Sequence, residues 1–550
     1  MKGWFKSGSP WVWLSAAAVS VCILLVVALL GLIAARGLVF FWPKQVLQAH
    51  YQDPSGGSYR LIGEIQDAEE IPAGRLRESG IELPGDEDSY TRYLIKTGNR
   101  DTLGMDFRSV LPDFMEKVEY PAGLMVVERR EWGNLYGYLK EVRENGQTVA
   151  QGDSAAAELQ RRLERALELF GRIRHIEKDL IGSINYQLEQ LRLEERRLDL
   201  GGDHDPASRA AIEARRKDLQ DRYEELQKER NDLFPQLNRD SFTAEIMTGQ
   251  LVEVPLAKVV RFYFPNAMGP LDKIGHYFGK LWEFVSDEPR EANTEGGIFP
   301  AIFGTVMMVL LMSVLVTPCG VVAAVYLREY ARQGLIVRLI RIAVNNLAGV
   351  PSIVYGVFGL GFFVYFLGGN IDALFYPEAL PSPTFGTPGI LWSSITLALL
   401  TLPVVIVATE EGLARVPRSI REGSLALGAT KAETLWRTVL PMASPGMMTG
   451  LILAVARAAG EVAPLMLVGV VKLAPSLPLD GNPPFLHLDR KFMHLGFHIY
   501  DVGFQSPNVE AARPLVYATS LLLILVIVVL NLTAIRIRNH LREKYRSLES

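Results

Sequence analysis

Six stretches of this chain are long and apolar enough to cross a bilayer, which takes about 20 residues. They run near Trp11–Ala35, Ile298–Leu327, Val350–Leu367, Ile390–Thr409, Gly446–Val471 and Leu515–Ile535. Between the first and second lies a polar segment of about 250 residues, and long segments cross a membrane largely regardless of their charge. Charged side chains gather there, from about residue 45 to 295, whereas the C-terminal half is mostly apolar. A chain of 550 residues so divided is expected to be a membrane part plus a water-facing part. Its formal charge of −4 carries no footprint for nucleic acid. Cys22 and Cys319 both sit inside apolar runs, so they offer no disulfide framework or zinc spacing and act as small hydrophobes. The first span reads as a retained anchor: it is longer than the apolar core of a signal peptide, and no small-residue cleavage site precedes the polar segment.

Loop charges set the direction. Lys2 and Lys6 precede the first span; Arg328, Arg332, Arg338 and Arg341 follow the second. Arg415, Arg418, Arg421, Lys431 and Arg437 follow the fourth, and Arg536, Arg538, Arg542, Lys544 and Arg546 follow the sixth. The segment Asn370–Gly389 has no Lys or Arg. All basic clusters fall on one side if both termini are cytoplasmic, which places residues 45–295 on the outer side of a multi-pass membrane protein.

Within that insert, Ile212, Leu219, Leu226 and Leu233 recur every seven residues, with Tyr223 between, amid charged side chains: a coiled-coil seam. A second helical stripe holds Leu159, Leu163, Phe170, Ile173, Leu180, Ile184, Leu188 and Leu191. Gly201 and Gly202 stop one helix, while Asp205 caps the next with Pro206 in its first turn. The expectation is an antiparallel coiled-coil hairpin over about 155–235, projecting ~40 Å. Short runs such as Leu124–Val127 and Leu251–Val254 point to a small β-containing platform at its base. In Pro270–Val285, Leu271, Ile274, Tyr277, Phe278, Leu281, Trp282 and Val285 form a stripe suited to a membrane interface, with His276 a polar group there.

The loop between the fourth and fifth spans reads EGSLALGATKAETLWRTVLP. A helix over Ser419–Leu427 begins after Pro417; Gly428 suits the left-handed residue that ends it. Thr430 caps a second helix, Glu433 completes a capping box, and Pro441 closes that helix. Helix, sharp turn, helix makes a rigid knob. The spacing Glu422, Gly428, Leu440, Pro441 resembles the loop of ABC-importer permeases, with Gly423-Ser424 where the family has two alanines and Thr438 where it has isoleucine. In register with it stand GGIFP after Glu295, GVPSIVYG from Gly349, TEEGL from Thr409 and ARAAGEVAP from Ala456. Together these resemble the phosphate-specific permeases of PstA type, over about residues 270–540.

The resemblance implies an all-α polytopic fold of MetI-like type for a permease domain over 270–550, with a coupling loop at about 410–441; an N-terminal helix over 1–44 completes six transmembrane helices, and the insert over 45–269 lies outside the resemblance. It implies that Glu422, Gly428, Ala429, Thr430, Leu440 and Pro441 dock in a groove of an ATPase. It also implies the partners: a PstC-like permease, a PstB-like ATPase dimer, a PstS-like phosphate-binding protein, the lipid bilayer and a regulatory PhoU-like protein.

Arg457 and Glu461 stand four residues apart in the fifth span, so one turn brings them to a common face. Charges in hydrocarbon are costly and are expected to face protein or a wet cavity, and to pair. Two readings stay open: a lock between helices, or a guanidinium that greets an oxyanion on the pathway with Glu461 weakening its grip. Glu410 and Glu411 end the fourth span and either contact the basic loops or form part of a gate, while Pro351 and Ser352 open the third. No G-x4-G-K-[ST] occurs: Gly279-Lys280 is followed by Leu281, and Ile274 fills the first glycine slot. The chain is therefore expected to be no enzyme and to bind no cofactor, with ATP hydrolysed by partner subunits. The eight histidines lack ligand spacing. Substrates other than phosphate, such as molybdate or sulfate, and a sensor or scaffold role for the hairpin, stand as alternatives.

Overall fold

The computed structural model describes residues 9–54, 56–78, 80–81, 83, 85, 87–202, 205–290, 293–506 and 509–545. Lys2, Lys6 and Arg546 of the basic clusters, and Asp203 and His204 of the hairpin turn, lie outside the described residues. The chain divides into two compact units, Phe41–Gly297 and the pair Met1–Phe40 with Ile298–Ser550. Helix α1 (Ser9–Val39) opens the second of these, the membrane unit.

The polar unit is built on two antiparallel sheets. The first runs in the order β4 (Phe107–Val110), β3 (Ser89–Lys96), β2 (Ser58–Pro72), β1 (Val46–Gln52), β5 (Met115–Glu119). The second runs β10 (Leu251–Pro255), β9 (Asp240–Glu245), β7 (Leu135–Glu144), β6 (Leu124–Arg129), β11 (Val259–Tyr263), with β8 (Gln147–Gln151) also on β7. The runs Leu124–Val127 and Leu251–Val254 are thus strands, but the platform is far larger than two short runs imply. Strand β6 is buried along its whole length, because alternate side chains serve two cores. Leu124 and Val126 join Val46, Leu47, Leu61 and Ile95 of the first sheet. Met125 and Val127 face the other way, onto Leu159, Leu163 and Ile173.

Those last residues belong to α2 (Ala155–His175), which continues through a π-type turn at Ile176–Ile181 into α3 (Gly182–Gly201). Gly202 takes a left-handed φ of 68° and ends α3; the Asp205 carboxylate accepts from the Ala207 and Ser208 amides and starts α4 (Pro206–Leu237). The pairs Arg209–Asp199, Arg216–Glu195 and Arg172–Glu229 fix the antiparallel register. Ile184 and Leu191 pack on Ile212 and Leu219, with Leu188, Tyr223 and Leu226 at the edges. The stripe fails at one place: Leu180 is exposed, and Ile176 and Ile181 are buried instead. A π-type turn adds a residue to one turn of helix and so rotates the apolar stripe by a position.

In the membrane unit, among the described residues, six helices are long and apolar enough to span a bilayer. They are α1, α6 (Phe299–Val325), α8 (Ser352–Phe375), α9 (Ile390–Arg415), α11 (Lys431–Gly460) and the apolar part of α12 (Val509–Tyr545). Helix α9 is the hub: 67 % of its apolar window is buried, against 28 % for the four others beside it and none of α1. It meets its neighbours through small side chains. A Cβ on Gly446 of α11 would lie 2.6 Å from the Gly412 Cα of α9, so the two backbones touch and no larger residue fits.

Two span ends and one connection differ from the sequence reading. The third span runs to Phe375, past Leu367, and the inserted π-type stretch Gly359–Gly368 carries it there. An amphipathic helix, α7 (Leu335–Leu347), fills the connection before it. The fifth span ends at Gly460 instead of Val471; Glu461 is extended, and the chain then makes a four-residue helix at Leu465–Val468.

Candidate functional site

The loop between the fourth and fifth spans is held by local hydrogen bonds. Helix α10 (Arg418–Ala426) ends in a two-bond cap: the Gly428 amide donates to Leu425 O at 3.0 Å and the Ala429 amide to Ser424 O at 3.3 Å. That geometry requires φ of +90° at Gly428, which side chains with a Cβ rarely adopt. Two residues on, Thr430 Oγ1 accepts from the Glu433 amide at 3.2 Å and Glu433 Oε2 accepts from the Thr430 amide at 2.9 Å, a complete capping box. Helix α11 starts there.

Pro441 does not close it. A π-type turn over Leu435–Val439 lets the Leu440 amide reach Leu435 O, and the helix continues through Leu440 and Pro441 to Gly460. The wider turn makes room for the proline ring and absorbs its missing donor. Consequently the elbow is continuous with the fifth span, and a displacement of one is a displacement of the other.

The elbow is also bolted to the second span. Arg421 pairs with Glu329 at 3.0 Å and donates to Leu413 O at 2.7 Å. Lys431 donates to Glu329 O and lies 4.7 Å over the Tyr330 ring. Beneath, Leu435, Val439 and Ala443 pack on Leu413 and Val416 of the α9 end. Its free surface is apolar at the tip: Leu427 is 91 % exposed and Trp436 76 %, with Glu422 exposed beside them.

The second arrangement lies at the other end of α11. Arg457 occupies the last turn and Glu461 the first residue beyond it, so the pair is not on one helical face. It forms nonetheless, Nε to Oε1 at 3.6 Å, an ionic contact too long for a hydrogen bond. Arg457 Nε is buried and makes no hydrogen bond, while the side chain as a whole keeps 36 % exposure. A guanidinium in that condition still has donors to offer. Beyond the helix end, Pro464 packs on Gly356 of α8; the buried hydroxyl of Ser393 on α9 lies against Gly469 and that of Thr396 against Gly359, and neither has a hydrogen-bond partner. Sequence reasoning missed those hydroxyls; their i, i+3 spacing on an apolar helix is the signal that could have found them.

Glu410 pairs with Arg341 of α7 at 3.2 Å, whereas Glu411 is exposed. Pro351 caps α8 and Ser352 is its first residue. Among the described residues no hydrogen bond or ion pair joins Pro351, Ser352, Glu410 or Glu411 to Arg457.

The profile of the family described as "Binding-protein-dependent transport system inner membrane component" matches residues 316–547, the region that holds both arrangements. The phosphate transport system permease protein PstA 1 of Mycobacterium tuberculosis is 36 % identical over 247 residues, which is 44 % of this chain and 71 % of that protein. The chain belongs to this permease family, within its PstA type. A probable PstA of Methanocaldococcus jannaschii is 32 % identical over 40 % of this chain and 67 % of its own. Among solved structures, an inward-facing MetNI methionine ABC transporter aligns with 44 % of this permease and 94 % of its own chain, at 17 % identity and a TM-score of 0.33. The family match begins at Val316, C-terminal to the whole polar unit.

Proposed function

We propose that this permease is a membrane subunit of an ATP-driven importer that carries inorganic phosphate inward by alternating access. The observation that carries the proposal is the doubly capped elbow at Gly428, stiff, apolar at its tip and continuous with the fifth span. In this reading the elbow, with both termini, faces the cytoplasm and seats Leu427 and Trp436 in a groove of a PstB-like ATPase dimer. Closure of that dimer on ATP pushes α11, and with it the Arg457 turn. A PstC-like permease completes the pathway, a PstS-like protein delivers phosphate from the periplasm, and a PhoU-like protein regulates the assembly. The chain itself binds no nucleotide. Arg457 offers donors to the phosphate oxygens, and Glu461 at 3.6 Å keeps the anion from being held too tightly to leave.

Gly428→Val tests the elbow. The expected outcome is loss of phosphate uptake with ATP hydrolysis retained by the assembled complex; normal uptake would refute the docking role. Uptake of labelled phosphate against molybdate and sulfate, in cells lacking and then regaining this chain, tests the substrate, because one open arginine suits any tetrahedral oxyanion. Deleting residues 155–233 separates a sensor role of the hairpin, which would lose signalling while uptake continues, from transport.

A further inference from the structure

Helix α5 (Pro270–Ser286), the last helix of the polar unit, is amphipathic the wrong way round for a protein surface in water. Its charged side points inward. Glu283 is buried, pairing with Arg261 at 2.6 Å and Arg290 at 2.8 Å. Lys280 bonds the buried Glu128 of β6, and the His276 ring lies 4.4 Å from Tyr263 of β11. Burial would raise the Glu128 carboxyl, but Lys280, Arg261 and Arg290 outweigh it and hold it down to about 2. Burial pushes His276 down to about 4, so the imidazole is neutral.

The outward side carries Leu271, Ile274, Phe278 and Trp282, at the i, i+3, i+7, i+11 spacing of one stripe, flanked by Gly275 and Gly279, with Asp272 exposed in the first turn. Leu271 is 82 % exposed, Phe278 62 % and Trp282 72 %. An ionic cluster that fixes the helix in this orientation leaves four large apolar side chains facing out, an arrangement that water penalises.

Chain connectivity says what is outside. Helix α1 ends at Val39. Phe41, two residues later and so within about 8 Å of the span's end, packs its ring 5.0 Å from Phe284 and 6.3 Å from Tyr277 of α5. The Trp42 ring lies 6.0 Å from that of Tyr277, tilted by 52°. At its other end α5 leads through a short segment to α6, which starts at Phe299. The helix is therefore tied to the first residues that follow α1, among Trp and Tyr side chains of the kind that favour the headgroup region.

We propose that α5 is an interfacial lipid-binding helix that seats the polar unit on the bilayer through Leu271, Ile274, Phe278 and Trp282. Its occupant is the acyl–headgroup boundary of the leaflet from which α1 emerges. The inference does not depend on the transported substrate.

The test uses the full chain with Cys22→Ser and Cys319→Ser, in nanodiscs of phosphatidylethanolamine and phosphatidylglycerol without partner subunits. A nitroxide is placed at Phe278→Cys and, as a water-exposed reference, at Val149→Cys on β8, which is 44 % exposed. The expected result is an oxygen-to-nickel-chelate accessibility ratio several-fold higher at 278 than at 149. Equal ratios would overturn the proposal by placing 278 in water. A label at 278 closed to both reagents would overturn it in favour of contact with protein, such as a second copy. Ile274→Cys gives the same reading should Phe278→Cys not fold, and Leu271→Cys tests whether the whole stripe shares one depth.

Discussion

The two units bring their elements together through different side chains. Large residues fill the interior of the polar unit, among them Tyr136, Phe242, Leu47, Leu61, Ile62 and Met125. The membrane unit also buries large residues such as Met308, Leu397 and Phe492, but its helices approach most closely at Gly412, Gly446 and Gly450, while Leu310, Val314 and Val322 face outward. The difference follows from the solvent. Water rewards removal of apolar area, so large side chains go inside. Lipid does not distinguish a leucine from its own tails, so close backbone approach and dispersion decide which residues touch. Helix α5 teaches the same lesson from the other direction: it belongs to the polar unit, yet its outward face is built to the membrane rule.

The contrast can be broken most severely at the α9–α11 contact. Gly446→Leu forces apart two backbones that touch, a change expected to cost well above the roughly 1–3 kcal/mol of ordinary overpacking and to abolish uptake. Gly31→Leu on α1, where nothing lies within 4 Å, should leave both unchanged. Thermal unfolding in detergent beside an uptake assay distinguishes these outcomes, and a tolerated Gly446→Leu would sink the close-contact account.

Charge burial in the polar unit comes next. Glu128 titrates at about 2 in place of its ordinary 4.5. A depressed carboxyl contributes stability that is complete above the unfolded value and lost as pH falls through the folded one. Between pH 4.5 and 2 the unit should therefore lose roughly 3 kcal/mol. Glu128→Gln should remove a similar amount at neutral pH, since Lys280, Arg261 and Arg290 then face Glu283 alone, and should flatten that stretch of the pH profile. Hydrogen exchange of β6 amides against pH reads both effects.

The smallest effect sharpens the comparison at the elbow, where hydrogen bonds between near neighbours replace both kinds of core. Thr430→Ala removes half of the capping box and should cost about 1 kcal/mol, seen as faster amide exchange at Glu433 with the spans unaffected.

How much was legible follows from the range of each interaction. Gly428, Thr430 and Glu433 act on residues three or four positions away, so their geometry could be written down from the string. The seam residues Ile212 and Leu219 were legible because period alone selects a face. Leu180 and Pro441 were misread for one reason: a π-type turn shifts every later side chain, and nothing in composition marks it. Arg457 and Glu461 were found as a spaced pair, but the helix end between them was not, although Gly460 and Pro464 flank it. The partners Arg341–Glu410 and Lys280–Glu128 lie 69 and 152 residues apart, beyond the reach of any local pattern.

Hydrophobic length, loop charge and capping chemistry are properties of short windows, and from them the chain alone settled its number of spans, its helical hairpin and its stiff elbow. Which glycines touch, which carboxylates find a cation, and which face of α5 turns outward were decided only when distant segments met. Those outcomes depend on the dielectric and the space around each group, and neither exists until the fold does.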